Sequence, residues 1–170
     1  PDTTYNGKSI EQINLMKGRK HKAKLEAETV IDLMMNGGAS AVFHGMSEED
    51  VKRIMQYPFN MIASDASIRV LGAGMPHPRG YGTNARVLAK YVREEKVITL
   101  EEAIRRMTSL PAQKFQLAGR GLIKEGMAAD IVIFDETEVR DVSTFEKPHA
   151  YSKGFHYVIV NGMLTVENEK

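Results

Sequence analysis

The 170-residue chain contains no cysteine, which excludes a disulfide framework and any thiolate metal site built from its own residues. It lacks an excess of charge of either sign: Lys plus Arg number 23 against 22 Asp plus Glu. No net field draws it to nucleic acid or to an anionic membrane, so neither is expected as a partner. No apolar run reaches the roughly 18–20 residues a membrane-spanning helix needs, and no charged-then-apolar leader opens the chain. A cytoplasmic location is the expectation. Also missing are the local zinc signatures H-x-H, H-x-x-x-H and C-x-x-C. The five histidines, His21, His44, His77, His149 and His156, include no pair at those spacings. Neither G-x-S-x-G nor a phosphate-binding glycine loop occurs.

The composition is that of a globular domain with a real core, 42% apolar and 26% charged. Ten methionines are scattered along apolar faces in the manner of core filler. The basic run "KGRKHKAK" at 17–24 has no interleaved aromatics and reads as a solvated connection between helices.

Helix signals are plain in the first part of the chain. "SIEQINLMKG" opens with a capping box, Ser9 with Gln12, and stops at Gly18. "KLEAETVIDLMMNGG" has Leu25, Ile31, Met34 and Met35 near helical spacing and ends on Gly37 and Gly38. In "SEEDVKRIMQYP" Ser47 caps and Pro58 terminates. The runs "ASAVFHG" and "FNMIAS" on either side of it read as buried strands, giving the strand-helix-strand unit of a parallel sheet. After the long Gly- and Pro-rich loop "ASIRVLGAGMPHPRGYG" come helices in "TNARVLAKYVREE" and in "TLEEAIRRMTSLP", where Thr99 and Glu102 form a second capping-box pattern. Beyond this the pattern turns to β: "RGLIKEGMAADIVIFD", then "YVIVNGMLTV" with Asn-Gly at a two-residue hairpin turn. The expected division is an α/β part over residues 1–114 and a small β part over 115–170.

Asp65 ends the predicted strand at 59–64, and in parallel α/β sheets working residues stand at the carboxyl ends of strands. On spacing alone two readings stay open: a carboxylate that caps the next turn, or a catalytic acid at the mouth of a site. The loop "MPHPRGYG" brings His77 and Arg79 to the same face, and an arginine there suits bidentate binding of a substrate carboxylate. His77 is confined by prolines on both sides. His44, ending the predicted "AVFH" strand, reads either as a rim histidine satisfied by the backbone or as a site residue beside Asp65.

Taken together, "MIASDAS", "GMPHPRGYGTNARVLAKYVRE", "ITLEEAIRRMTSLPAQKFQL", "RGLIKEGMAADIVIFD" and "TFEKPHAYSKGFHYVIVNG" resemble the C-terminal third of the N-acyl-D-amino-acid deacylases, the D-aminoacylases of the amidohydrolase superfamily. The resemblance implies the end of a TIM-like (β/α)8 hydrolase barrel followed by strands of a small β-sandwich. It implies that Asp65 lies beside zinc, acts as general base for the metal-bound water and returns the proton to the departing amine. Arg79 matches the arginine that holds the α-carboxylate of an N-acyl-D-amino acid, and His77 and Tyr81 match neighbouring substrate-binding loop positions. The histidine pair, later histidines and bridging cysteine of the family's metal cage have no counterpart here, so zinc would need ligands outside this chain. The implied reading is therefore a deacylase fragment, inactive alone and prone to associate with itself. The alternatives are another amidohydrolase, such as a cyclic-amide hydrolase, or a non-catalytic assembly module.

Overall fold

A computed structural model describes residues 3–168. The chain forms two compact units, the first ending at Gly45 and the second beginning at Met46.

The first unit is a pair of helices, α1 (Ile10–Met16) and α2 (Ala23–Met35). The predicted capping box is present in full: Ser9 Oγ accepts the Gln12 N–H, and Gln12 Oε1 accepts the Ser9 N–H. Packing between the helices is polar at its centre. Asn14 and Thr29 are fully buried, the Thr29 hydroxyl lies 2.9 Å from Asn14 Oδ1, and Asn14 Nδ2 donates to the Lys20 carbonyl. Lys17 and Arg19, from the basic run, both reach Asp32. Met34 and Met35, expected on an apolar face, are exposed. Gly37 and Gly38 end α2 with φ of 105° and 75°, conformations that glycine supplies without a Cβ clash.

In the second unit, α3 (Glu48–Met55) starts at Ser47, whose side chain accepts the Asp50 N–H. Next come α4 (Arg79–Arg86), its π-helical continuation Val87–Glu94, α5 (Leu100–Met107) and α6 (Ser109–Lys114). The expected single helix through Pro111 is two, because the backbone turns at Thr108. Strands β1 (Ile131–Phe134), β2 (Phe155–Val160) and β3 (Met163–Glu167) make an antiparallel sheet in the order β1-β2-β3. Asn161 and Gly162 form the predicted two-residue turn, both with positive φ, between the paired residues Val160 and Met163. The core joins helices to sheet: Met55, Ala85, Val87, Leu88, Tyr91, Ala103 and Val139 are buried together, with Phe134 and Phe155 packed against them.

Two expected strands are absent. Residues 39–44 and 59–64 adopt no strand, and neither joins the three-stranded sheet. A parallel strand exists by virtue of its neighbours' hydrogen bonds, and among the described residues neither run is part of a β-ladder. The second run is held instead by one backbone bond and by side chains. Ile62 N–H donates to the Arg106 carbonyl, Asn60 Nδ2 donates to the Ile54 carbonyl, and buried Arg106 donates to Asn60 Oδ1 and the Met55 carbonyl.

Candidate functional site

Asp65 follows directly on the segment that Arg106 anchors. Its φ of 47° places it in the left-handed region, which non-glycine residues seldom occupy and which tends to mark constrained functional positions. The carboxylate caps no helix. It pairs with Arg79, with Oδ2 2.9 Å from a guanidinium nitrogen. Asp65 is 85% exposed and Arg79 44%, so both groups remain open to solvent and to a ligand.

Arg79 sits at the first position of α4, not in the loop where the sequence places it. Pro78 before it supplies a φ of −52°, already helical, and has no N–H to leave unsatisfied. His77 completes the start of the helix: its Nδ1 accepts the Arg79 N–H at 3.0 Å, while its ring meets the edge of Phe145 at 5.0 Å. Tyr81, one turn in, is held at three points by a later segment. Its hydroxyl is 3.2 Å from His149 Nδ1, its ring packs on Tyr151, and its carbonyl accepts the Ser152 hydroxyl at 2.8 Å. Farther along α4, Arg86 pairs with Asp141. Gly82 is required there, since a Cβ would come within 2.8 Å of the Asp141 side chain.

The structure thus brings together Asp65, His77, Arg79 and Tyr81 at the start of α4. It adds His149, which no local motif in the sequence marks, because its partners lie some seventy residues earlier. His44 belongs to the first unit and is exposed there. Two clefts, of about 250 and 360 Å³, are lined by other residues: Leu88, Leu100 and Phe134 in one, Ala112, Leu117 and Met127 in the other.

For a metal ion, Asp65 offers one oxygen donor, and its partner is a cation. Among the described residues a three-donor group forms beside the sheet: Asp135 and Glu138, in the turn after β1, and His156, in β2, bring one ligand atom each within 4.8 Å of one another. The antiparallel pairing of β1 with β2 assembles it from positions that no ligand-spacing rule would join. Asp135 is already engaged, since the Thr137 hydroxyl and N–H donate to it and hold its carboxyl below the ordinary value.

A model of the amidohydrolase family matches residues 12–166. The chain is 43% identical over 124 residues to the N-acyl-D-glutamate deacylase of Alcaligenes xylosoxydans xylosoxydans, covering 73% of this chain and 25% of that protein. It is 37% identical over 162 residues to the D-aminoacylase of the same organism, covering 95% and 31%. The solved structure of N-acyl-D-glutamate deacylase from Bordetella bronchiseptica, complexed with zinc and a phosphonate that mimics the tetrahedral intermediate, superposes with a TM-score of 0.79 at 37% identity. The match covers 92% of this chain and 31% of that one. The chain therefore spans between a quarter and a third of the length of these relatives.

Proposed function

The chain belongs to the amidohydrolase family, and from that membership we propose that it is the C-terminal portion of a zinc-dependent hydrolase that cleaves the linear amide of N-acyl-D-amino acids. The observation that carries this reading is the Asp65–Arg79 pair. A carboxylate-binding guanidinium stands 2.9 Å from a solvent-open carboxylate, on a constrained backbone and a helix start secured by two histidines.

The ion pair of Arg79 with the Asp65 carboxylate supports this role, in which the substrate's α-carboxylate would take the place Asp65 occupies. Asp65, released, accepts the proton of the attacking water on a carboxylate oxygen and delivers it to the nitrogen of the departing amine. A cyclic amide has no free α-carboxylate, so Arg79 favours the linear substrate. His77 and Tyr81 serve by fixing the turn that aims Arg79. Zinc would supply Lewis-acid polarisation of the amide, and among the described residues at this site Asp65 alone offers such an ion a donor. The histidines of its cage belong to residues outside the chain, and the 170 residues alone are inactive. In this reading residues 1–114 are the last strands and helices of a (β/α)8 barrel and 115–170 strands of a β-sandwich. The runs 39–44 and 59–64 would become barrel strands once neighbours supply ladder partners. The location is cytoplasmic.

The test is kinetic, on the complete zinc-loaded enzyme with N-acyl-D-amino acids. Arg79→Ala is expected to raise KM about tenfold or more, and Asp65→Asn to lower kcat by roughly 10²–10⁴. A KM unmoved by Arg79→Ala rejects the clamp, and full turnover by Asp65→Asn rejects the proton shuttle.

A further inference from the structure

We infer that His149 is a positioning residue that pins the Gly72 and Gly74 turn to the first turn of α4 and so holds Arg79 in register with Asp65, an inference that rests on reading Arg79 as the carboxylate clamp. Each nitrogen of the half-buried imidazole has a defined task. Gly72 N–H, which can only donate, lies 3.1 Å from Nδ1, and the Gly74 carbonyl, which can only accept, lies 2.8 Å from Nε2. These partners assign the neutral ring with its proton on Nε2. The Tyr81 hydroxyl, 3.2 Å from Nδ1, then donates to the same lone pair, and the two rings meet edge to face at 6.0 Å.

The bonded turn is otherwise weakly secured. Gly72 and Gly74 are exposed, with φ of 84° and 67°, and the turn's own backbone contributes the Ala73 N–H to Val70 carbonyl bond. The loop runs from Asp65 at one end to Arg79 at the other, so a ring that grips its middle and Tyr81 together limits how far the two charged ends can drift apart. His149 is itself fixed by its own segment. Pro148 before it is buried, and the buried Ser143 hydroxyl donates to the Pro148 carbonyl at 2.6 Å. The aromatic contacts of Phe145 with His77 and of Tyr151 with Tyr81 flank it. This segment thus contacts each of the residues that set the direction of Arg79.

Two measurements test the inference. Nitrogen-15 NMR of the imidazole in the 170-residue chain is expected to show the Nε2–H tautomer, and His149→Leu to shift and deprotect the Gly72 amide. In the complete enzyme His149→Leu is expected to raise KM about tenfold with kcat changed by no more than about twofold. His149→Gln, whose amide oxygen accepts and whose amide nitrogen donates, is expected to recover most of that loss. A purely structural role would lower Tm for both variants without separating KM from kcat and without rescue by glutamine. An Nδ1–H ring, an unperturbed Gly72 amide, or an unchanged KM in a folded His149→Leu protein overturns the inference. Should the unsubstituted enzyme hydrolyse no N-acyl-D-amino acid, the deacylase reading falls, while the tautomer and the Gly72 amide still decide whether His149 pins the loop.

Discussion

Glu102 serves two arginines with one carboxylate: Arg105 and Arg106 each place Nε 2.7 Å from one of its oxygens. Hydrogen bonds from Arg105 first, then from Arg106, hold its carboxyl down at about 2, against an ordinary 4.5. A carboxyl depressed in the folded state contributes stability that is complete above the ordinary value and is lost as pH falls toward the folded one. The wild-type urea midpoint is therefore expected to drop between about pH 4.5 and 2. Glu102→Gln should be less stable at neutral pH and should show a shallower slope across that window. An identical slope in the two proteins would contradict the assignment. The same residue marks where the sequence stopped being legible. Thr99 and Glu102 read as a reciprocal capping box, and Thr99 Oγ1 does accept the Glu102 N–H. The carboxylate, however, turns to the guanidinium groups, because charge-assisted bonds outcompete one neutral backbone donor. Asp65 and Arg79 were legible as neighbours through their loop. His149 was not, because a ring nitrogen facing Gly72 is set by tertiary packing and leaves no local pattern.

At the scale of elements, helix starts were readable because caps are local: Ser9, Ser47 and Thr99 each do in the structure what spacing assigns them. The Asn161-Gly162 hairpin was readable for the same reason. The runs 39–44 and 59–64 were not, since strand identity depends on partners that the run itself does not encode. The sheet carries a nonlocal demand as well. Between β1 and β2 the register shifts at Phe134, and just before β2 the Gly154 carbonyl accepts the Asp135 N–H. Gly154 has a φ of 83°, and a Cβ there would lie 2.5 Å from the backbone of fully buried Val139. Neither the strain nor the clash can be relieved by a rotamer change. Gly154→Ala is expected to destabilise the protein by about 2–4 kcal/mol, among the larger effects of a single substitution. Urea unfolding measures it directly, and a loss below about 0.5 kcal/mol, the range of an unremarkable surface change, would show that the β1–β2 junction is not as tight as its geometry indicates.

At the scale of the whole molecule, the second unit leaves large apolar side chains in water. Phe59 is 83% exposed, Ile123 87% and Ile68 fully so. Phe59 lies in the run that reads as a buried strand and has no ladder partner, and Ile68 follows Asp65 in the loop that leads to Arg79. Single exposed apolar residues are ordinary, but here one of them lies in a run that joins no sheet among the described residues, a combination that favours pairing with another chain. The matched relatives are about three times as long as this chain, which supplies a reason for apolar surface that this chain does not cover itself. The 170-residue chain is accordingly expected to associate with itself as concentration rises. Sedimentation velocity over a hundredfold concentration range should show a rising mean mass, and Phe59→Ser with Ile68→Ser should shift the chain toward monomer with no loss of helix content. A monomer at all concentrations would mean that these side chains are tolerated in water and that the exposed run needs no partner. Because Asp65 lies between the two substituted positions, the same double variant in the complete enzyme is expected to lose activity, tying the uncovered surface to the support of the candidate site.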